Sequence, residues 1–223
     1  MTTGSIRLVI FDWDGTLCDS HGRIVFAMRE AFVACGEPPP TTADIRAIIG
    51  LGLHDSIYRL APVLTSAAVD SIANAYRAGF VAAGHINTPM FDGARQLLDG
   101  LIARGLNLAV ATGKSRVGLD RALAEFDLVD YFYATRCADE SEAKPAPDMI
   151  EELMIECDVS AREAVMVGDS EHDIEMARAA GISSIGAAYG SHSPDALQRS
   201  GPTMTINTLD GLPGAIEYIA TLE

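Results

Sequence analysis

The chain opens on an apolar run, Ile6 to Phe11, interrupted only by Arg7, that stops at Asp12-Trp13-Asp14-Gly15-Thr16. A short Ile/Leu/Val/Phe run of this kind predicts a strand buried on both faces. The period then changes. Over residues 20–35 the apolar positions are Ile24, Val25, Met28, Ala31, Phe32 and Cys35, the spacing of one helix face, closed by Gly36 and Pro38-Pro39-Pro40. Thr41 or Thr42 can cap a short helix reaching Ile49. Gly50-Leu51-Gly52-Leu53 breaks it, His54 to Ala61 predicts another, and Ser66 to Ala83 a long one with Val69, Ile72, Ala73, Tyr76 and Phe80 inward. No strand pattern of comparable strength falls between residues 18 and 85.

From Phe91 onward, strands and helices alternate. Strands are predicted at Leu106–Ala111, Tyr131–Thr135, Ala164–Val167, Ile182–Ala187 and Met204–Ile206. Helices are predicted at Asp92–Arg104, Arg116–Phe126, Pro147–Glu156, Glu171–Ala180, after Pro194, and from Leu212 to Leu222. Such alternation implies right-handed parallel βαβ units. The expected fold is α/β: a three-layer Rossmann-like sandwich with a parallel sheet, plus a small all-helical cap domain inserted after the first strand. The expected boundaries are 1–17 and 89–223 for the core and 18–88 for the cap, and 223 residues suit one core domain with a small insertion.

Composition narrows the partners. A formal net charge of −15 argues against nucleic acid and against an anionic membrane surface, both of which attract a basic face. No apolar stretch approaches the ~20 residues that span a bilayer, and the first residues lack the layout of a secretory signal. The four cysteines, Cys18, Cys35, Cys137 and Cys157, are far apart and form no metal-binding pair spacing. A cytoplasmic protein, monomer or homodimer, is expected. Arginine outnumbers lysine fourteen to two, and both lysines, Lys114 and Lys144, stand in loops after apolar segments. Those positions are candidates for a compact ammonium that guanidinium replaces poorly.

Four predicted strands end in polar residues: Asp12 and Asp14, Thr112-Gly113, the Lys144 loop, and Asp169 with Asp173. Ligands of open parallel sheets bind at the carboxyl ends of the strands. Unpaired carboxylates are too costly for a core, whereas acids, a lysine and a hydroxyl at one sheet edge suit a hard divalent cation and a phosphate. The segments DWDGTL, ATG, KPAPD and GDSEHD, in this order and spacing, resemble the four motifs of the haloacid dehalogenase superfamily over essentially the whole chain. The helical insert resembles the cap of its phosphoglycolate phosphatase and β-phosphoglucomutase branch.

The resemblance implies roles residue by residue. Asp12 would be the nucleophile that forms an aspartyl-phosphate, and Asp14 the general acid and base. Mg²⁺ would be held by Asp12, the Asp14 carbonyl and Asp169, with Asp173 behind them or acting through water. Thr112, Gly113 and Lys144 would bind and neutralise the phosphoryl group, with Trp13, Gly50 and Gly52 also against the substrate, a small phosphorylated metabolite. Lys114 either approaches the substrate or is solvated; it is no P-loop lysine, because Leu108 stands where the first glycine should be. Cys18 is expected to pack, His21 to lie at the surface, and Glu171 and His172 either to orient Asp169 or to be solvated.

Single residues separate the branches. Dehalogenases lack the second aspartate, so Asp14 favours phosphoryl transfer. The cap has no lysine for the Schiff base of phosphonatases. In β-phosphoglucomutase an arginine of the cap loop grips a second phosphate; here Leu53 stands there, with Arg46 or Arg59 as substitutes. The expected activity is a Mg²⁺-dependent phosphatase of phosphoglycolate type. The alternatives are a phosphosugar mutase, a pyrophosphatase, or a non-catalytic binding protein.

Overall fold

The structure, a computed structural model, describes residues 5–222. Its centre is one parallel sheet of six strands: β1 (Leu8–Phe11), β2 (Asn107–Thr112), β3 (Ala134–Cys137), β4 (Ala164–Gly168), β5 (Ser183–Ala187) and β6 (Met204–Ile206). Their order is β3-β2-β1-β4-β5-β6. Sequence order therefore reverses at β1, which pairs with β2 on one side and β4 on the other, with Phe11 level with both Val110 and Val167. The crevice beyond the carboxyl end of β1 is the switch point of the sheet.

Alternate side chains of β1 serve different layers, as the two-residue period of a strand requires. Val9 and Phe11 join α5 (Ala94–Ala103), α6 (Arg116–Glu125) and α10 (Leu212–Ile219) through Leu98, Leu119 and Ile216. Leu8 and Ile10 pack on α7 (Asp148–Glu156) and α8 (Glu171–Ala179) through Met149, Leu153 and Met176. A short helix, α9 (Pro194–Arg199), precedes β6. The expected three-layer α/β arrangement is thus present.

Between β1 and α5 lie four helices: α1 (His21–Ala34), α2 (Thr42–Arg46), α3 (Leu53–Leu60) and α4 (Ser66–Ala82). They bury a cluster of their own, with Met28 and Phe32 of α1 against Ile45, Ile57, Val69 and Ile72. Thr41 caps α2 by accepting from the Asp44 amide, and Thr65 caps α4 from the Ala68 amide. The chain enters and leaves this block side by side: Asp19 N donates to Pro89 O, Phe91 N to Leu17 O, and Cys18 Sγ to Thr88 O. Among the described residues no helix is long and apolar enough to cross a membrane.

Two element boundaries differ from expectation. The strand predicted at Tyr131–Thr135 is Ala134–Cys137, because Val129–Tyr131 forms a 3-10 turn that turns Phe132 onto Trp13. The helix expected to reach Ile49 ends at Arg46, and Ile48 and Ile49 are buried from the turn that follows.

Ile10 is fully buried at the centre of the sheet. Ile10→Ala should lower unfolding free energy by about 2–5 kcal/mol, read from urea denaturation. Ile155→Ala, at a side chain 81% exposed, should change it by less than about 0.5 kcal/mol.

Candidate active site

The site grows from the ends of β1, β2 and β4. The Asp12 amide donates to Val167 O, which holds Asp12 in sheet register one residue past β1. The chain then folds into a tight turn in which Trp13 O accepts from the amides of Leu17 and Cys18. Gly15 makes the turn at φ +87°, and a Cβ there would fall 2.2 Å from Asp169 Oδ2. Only glycine combines that backbone with that approach.

Asp12, Asp169 and Asp173 are all buried, and one carboxylate oxygen from each lies within 4.8 Å of the others. Lys144, whose side chain is fully enclosed, stands 2.9 Å from Asp12 Oδ1 and donates to Asp173 Oδ1 at 2.6 Å. Asp173 Oδ2 accepts from both the amide and the hydroxyl of Ser170, the cap of α8. Asp169 accepts from Thr16 Oγ1 and from the Ser191 amide. Asp12 Oδ2, by contrast, is buried without a hydrogen-bond partner.

Burial pushes the Asp12 carboxyl well above the usual carboxylate range; the Lys144 ammonium pulls it back, and Asp173 and Asp169 add to the rise. Burial, reinforced by Asp173, lifts Asp169 to about 6. Burial alone would strip the proton from Lys144, but Asp12 and Asp173 outweigh it and hold the ammonium above its ordinary value. Three carboxylates against one ammonium leave two negative charges, and Asp12 offers an orphaned oxygen. That donor set suits a hard divalent cation.

Asp14 is separate from this cluster. Its Oδ1 accepts from Ser20 Oγ at 2.5 Å and pairs with Lys114 Nζ at 2.9 Å. Lys114 also stands 5.2 Å from the centre of the Phe80 ring, on α4. Thr112 is buried beside them, its Oγ1 accepting from the Lys114 amide. Gly113 is pressed against the loop before α3: a Cβ would lie 2.4 Å from Leu51 O and 2.6 Å from Gly50 O. Asp12, Asp14, Thr112, Gly113, Gly50 and Gly52 all line one cavity of about 610 Å³ between the helical block and the sheet.

Residues 9–187 match the haloacid dehalogenase-like hydrolase family. The chain belongs to that family. A phosphatase relative from Dickeya dadantii, "Probable phosphatase IndB", is 33% identical over 96% of this chain and 95% of its own. The phosphoglycolate phosphatase of Vibrio parahaemolyticus is 29% identical over 95% and 96%. The tyrosine-protein kinase PtkA of Mycobacterium tuberculosis is 32% identical over 95% of this chain and 73% of its own. The crystal structure of a predicted phosphatase from Clostridium acetobutylicum superposes with a TM-score of 0.87 at 27% identity, covering 96% of this chain and 99% of that one. The protein is a haloacid dehalogenase-type phosphatase, a hydrolase acting on phosphomonoesters.

Several expectations change in this haloacid dehalogenase-like site. The Trp13 side chain lies in the core, tilted against Phe126 at 6.3 Å and edge-on to Phe132 at 6.4 Å, so that its backbone alone faces the turn between Asp12 and Asp14. His21 is no surface residue: it hydrogen-bonds Ser191 Oγ at 2.6 Å, linking α1 to the loop that binds Asp169, and burial lowers its pKa. His172 is buried against His192 and not solvated. Cys18 packs as expected, its thiol pushed up to about 12 by burial. Lys114 has a carboxylate partner and is not a solvated loop residue. Thr16, Ser20 and Ser191 are additions. Thr16 directly follows the DWDG turn, and Ser191 follows β5, another strand end, so both stood where strand-end reasoning points.

Gly113→Ala would force the Leu51 carbonyl away from the phosphate-side loop. We expect kcat/KM for a phosphomonoester to fall about 10²-fold while thermal denaturation shifts by only a few degrees, roughly. An unchanged kcat/KM would refute the contact.

Proposed function

We propose that the protein is a Mg²⁺-dependent phosphatase that hydrolyses a phosphorylated metabolite through an aspartyl-phosphate on Asp12. The observation that carries this is the division of the two acids of one turn. Asp12 faces the buried cluster and the Lys144 ammonium; Asp14 faces Ser20, Lys114 and the cavity. A nucleophile needs the first setting and a proton donor to the departing alcohol the second.

In this reading an Asp12 oxygen attacks phosphorus, the Asp12–phosphorus bond forms and the bond to the ester oxygen breaks. The alkoxide takes a proton from Asp14. Asp14 then accepts a proton from water as that water attacks phosphorus, and inorganic phosphate leaves with Asp12 restored. Lys144, Thr112 and the Gly113 amide hold the phosphoryl oxygens and offset their charge. Asp12 and Asp169, with the Asp14 carbonyl, would hold Mg²⁺, which supplies further neutralisation of the phosphoryl group. Asp173, both of whose oxygens are already engaged, orients Lys144 and the start of α8.

The mutase alternative needs a second cation for a distal phosphate. Leu53 lines the cavity at the loop position where β-phosphoglucomutase has its arginine, and neither Arg46 nor Arg59 lines it; the arginines that do, Arg77 and Arg121, are solvent-exposed. The kinase relative raises transfer to a protein tyrosine as a second activity to assay, with ATP as the donor.

Asp12→Asn should reduce phosphate release from p-nitrophenyl phosphate by ~10³-fold or more; equal rates in variant and wild type would end the enzyme reading. Asp14→Asn should cost about 10²–10⁴-fold on an alkyl phosphate and much less on p-nitrophenyl phosphate, whose leaving group needs no proton. Equal losses on both would remove Asp14 from the acid role. The lifted acids give a further test. Below about 6, protons occupy Asp169 and compete with the metal, so apparent Mg²⁺ affinity should fall as pH falls, by about tenfold per unit for each proton displaced. Calorimetric titrations between pH 5 and 7.5 that show constant affinity would contradict it.

A further inference from the structure

We propose that the preferred substrate is the phosphomonoester of a bulky, largely apolar alcohol, of aromatic-ring size or larger, rather than of a two-carbon acid. This rests on the phosphatase reading and names the substrate class of the same site. The first argument is size. The cavity measures about 610 Å³, within the range of about 300–1,000 Å³ that encloses drug-sized ligands. A two-carbon phosphate ester fills a small part of it and leaves the remainder to water.

The second argument is the lining. The apolar part of the wall is Met28 of α1, Ile49 and Leu51 of the turn before α3, and Tyr76 and Phe80 of α4, with His54, Asp55 and Asp139 as polar neighbours. The two rings stand 5.9 Å apart. Such a surface gains by excluding water against apolar groups.

The third argument is the placement of cations. A two-carbon acid carries its carboxylate next to the phosphate and would bury it at the catalytic end. Each cation there that is shielded from solvent is already engaged. Lys114 pairs with Asp14, and Lys144 is enclosed between Asp12 and Asp173. Arg23, whose guanidinium lies 4.5 Å from the Phe80 ring, donates to the carbonyls of Phe80 and Val81. The cavity's other cations, Arg77 and Arg121, are exposed to solvent. A carboxylate desolvated near phosphorus would lack a counter-ion; an apolar body would not need one, and a polar end of a longer substrate would reach the arginines.

The test is phosphate release by the full chain with Mg²⁺, comparing ethyl, butyl and 2-phenylethyl phosphate with phosphoglycolate. The three primary alcohols are similar as leaving groups, so differences report the cavity. We expect kcat/KM to rise about tenfold or more from ethyl to 2-phenylethyl phosphate, and 2-phenylethyl phosphate to exceed phosphoglycolate. Leu51→Ser should lower the ratio of 2-phenylethyl to ethyl turnover about fivefold or more. That ratio is taken within one preparation and does not depend on how much of the variant folds. A flat or falling series, faster phosphoglycolate, or an unchanged ratio in the variant overturns the substrate class while leaving the phosphatase standing. Failure to turn over any of these esters or p-nitrophenyl phosphate overturns both.

Discussion

Crowding Asp12, Asp169 and Asp173 into a buried pocket sets like charges against one another where water cannot screen them. Lys144 compensates part of this, and much of the surrounding structure consists of groups that hold the arrangement in place. Ser170 fixes Asp173 from the start of α8, and Thr16 and Ser191 fix Asp169 from two different loops. Gly15, Gly168 and Gly190 stand where any Cβ would collide with these acids. The sheet supplies the frame: β1 and β4, paired with Phe11 level with Val167, deliver Asp12 and, one residue further along its strand, Asp169 to the same edge. A cluster with this excess of negative charge favours whatever brings positive charge into it.

The second organising feature is that the helical block meets the catalytic end through backbone and side chain alike. The carbonyls of Gly50 and Leu51 lie against Gly113, His21 reaches Ser191, and Phe80 sits beside the Lys114 that pairs with Asp14. The surroundings of Asp14 are therefore set partly by the sheet and partly by the helical block. The adjacent crossings at Asp19 and Pro89 tie the two ends of the block together at a single edge.

Much of this was legible in the chain. The change from a 3.6-residue period to alternating strands marked the inserted helices, and polar residues after buried strands marked the site. What escaped were contacts between residues far apart in sequence. His21 and Ser191 are 170 positions apart, Thr16 and Asp169 153; no local pattern couples them. Trp13 misled because it stands between two acids, while strand alternation turns its ring to the opposite side, into the core. The third strand was misplaced because Val129, Tyr131 and Phe132 have strand-like composition but are used in a turn that packs against that tryptophan.

The scarcity of lysine has a practical corollary. Both lysines pair with the acids of one turn, Lys144 with Asp12 and Lys114 with Asp14, and the side chain of Lys144 is wholly enclosed while that of Lys114 is 13% exposed. Of the two lysine side chains, an amine-directed reagent finds one reachable, Lys114, the partner of Asp14. Chemistry that labels a surface at random in most proteins becomes here an address for the catalytic pocket, usable to attach a reporter or a support at one defined point.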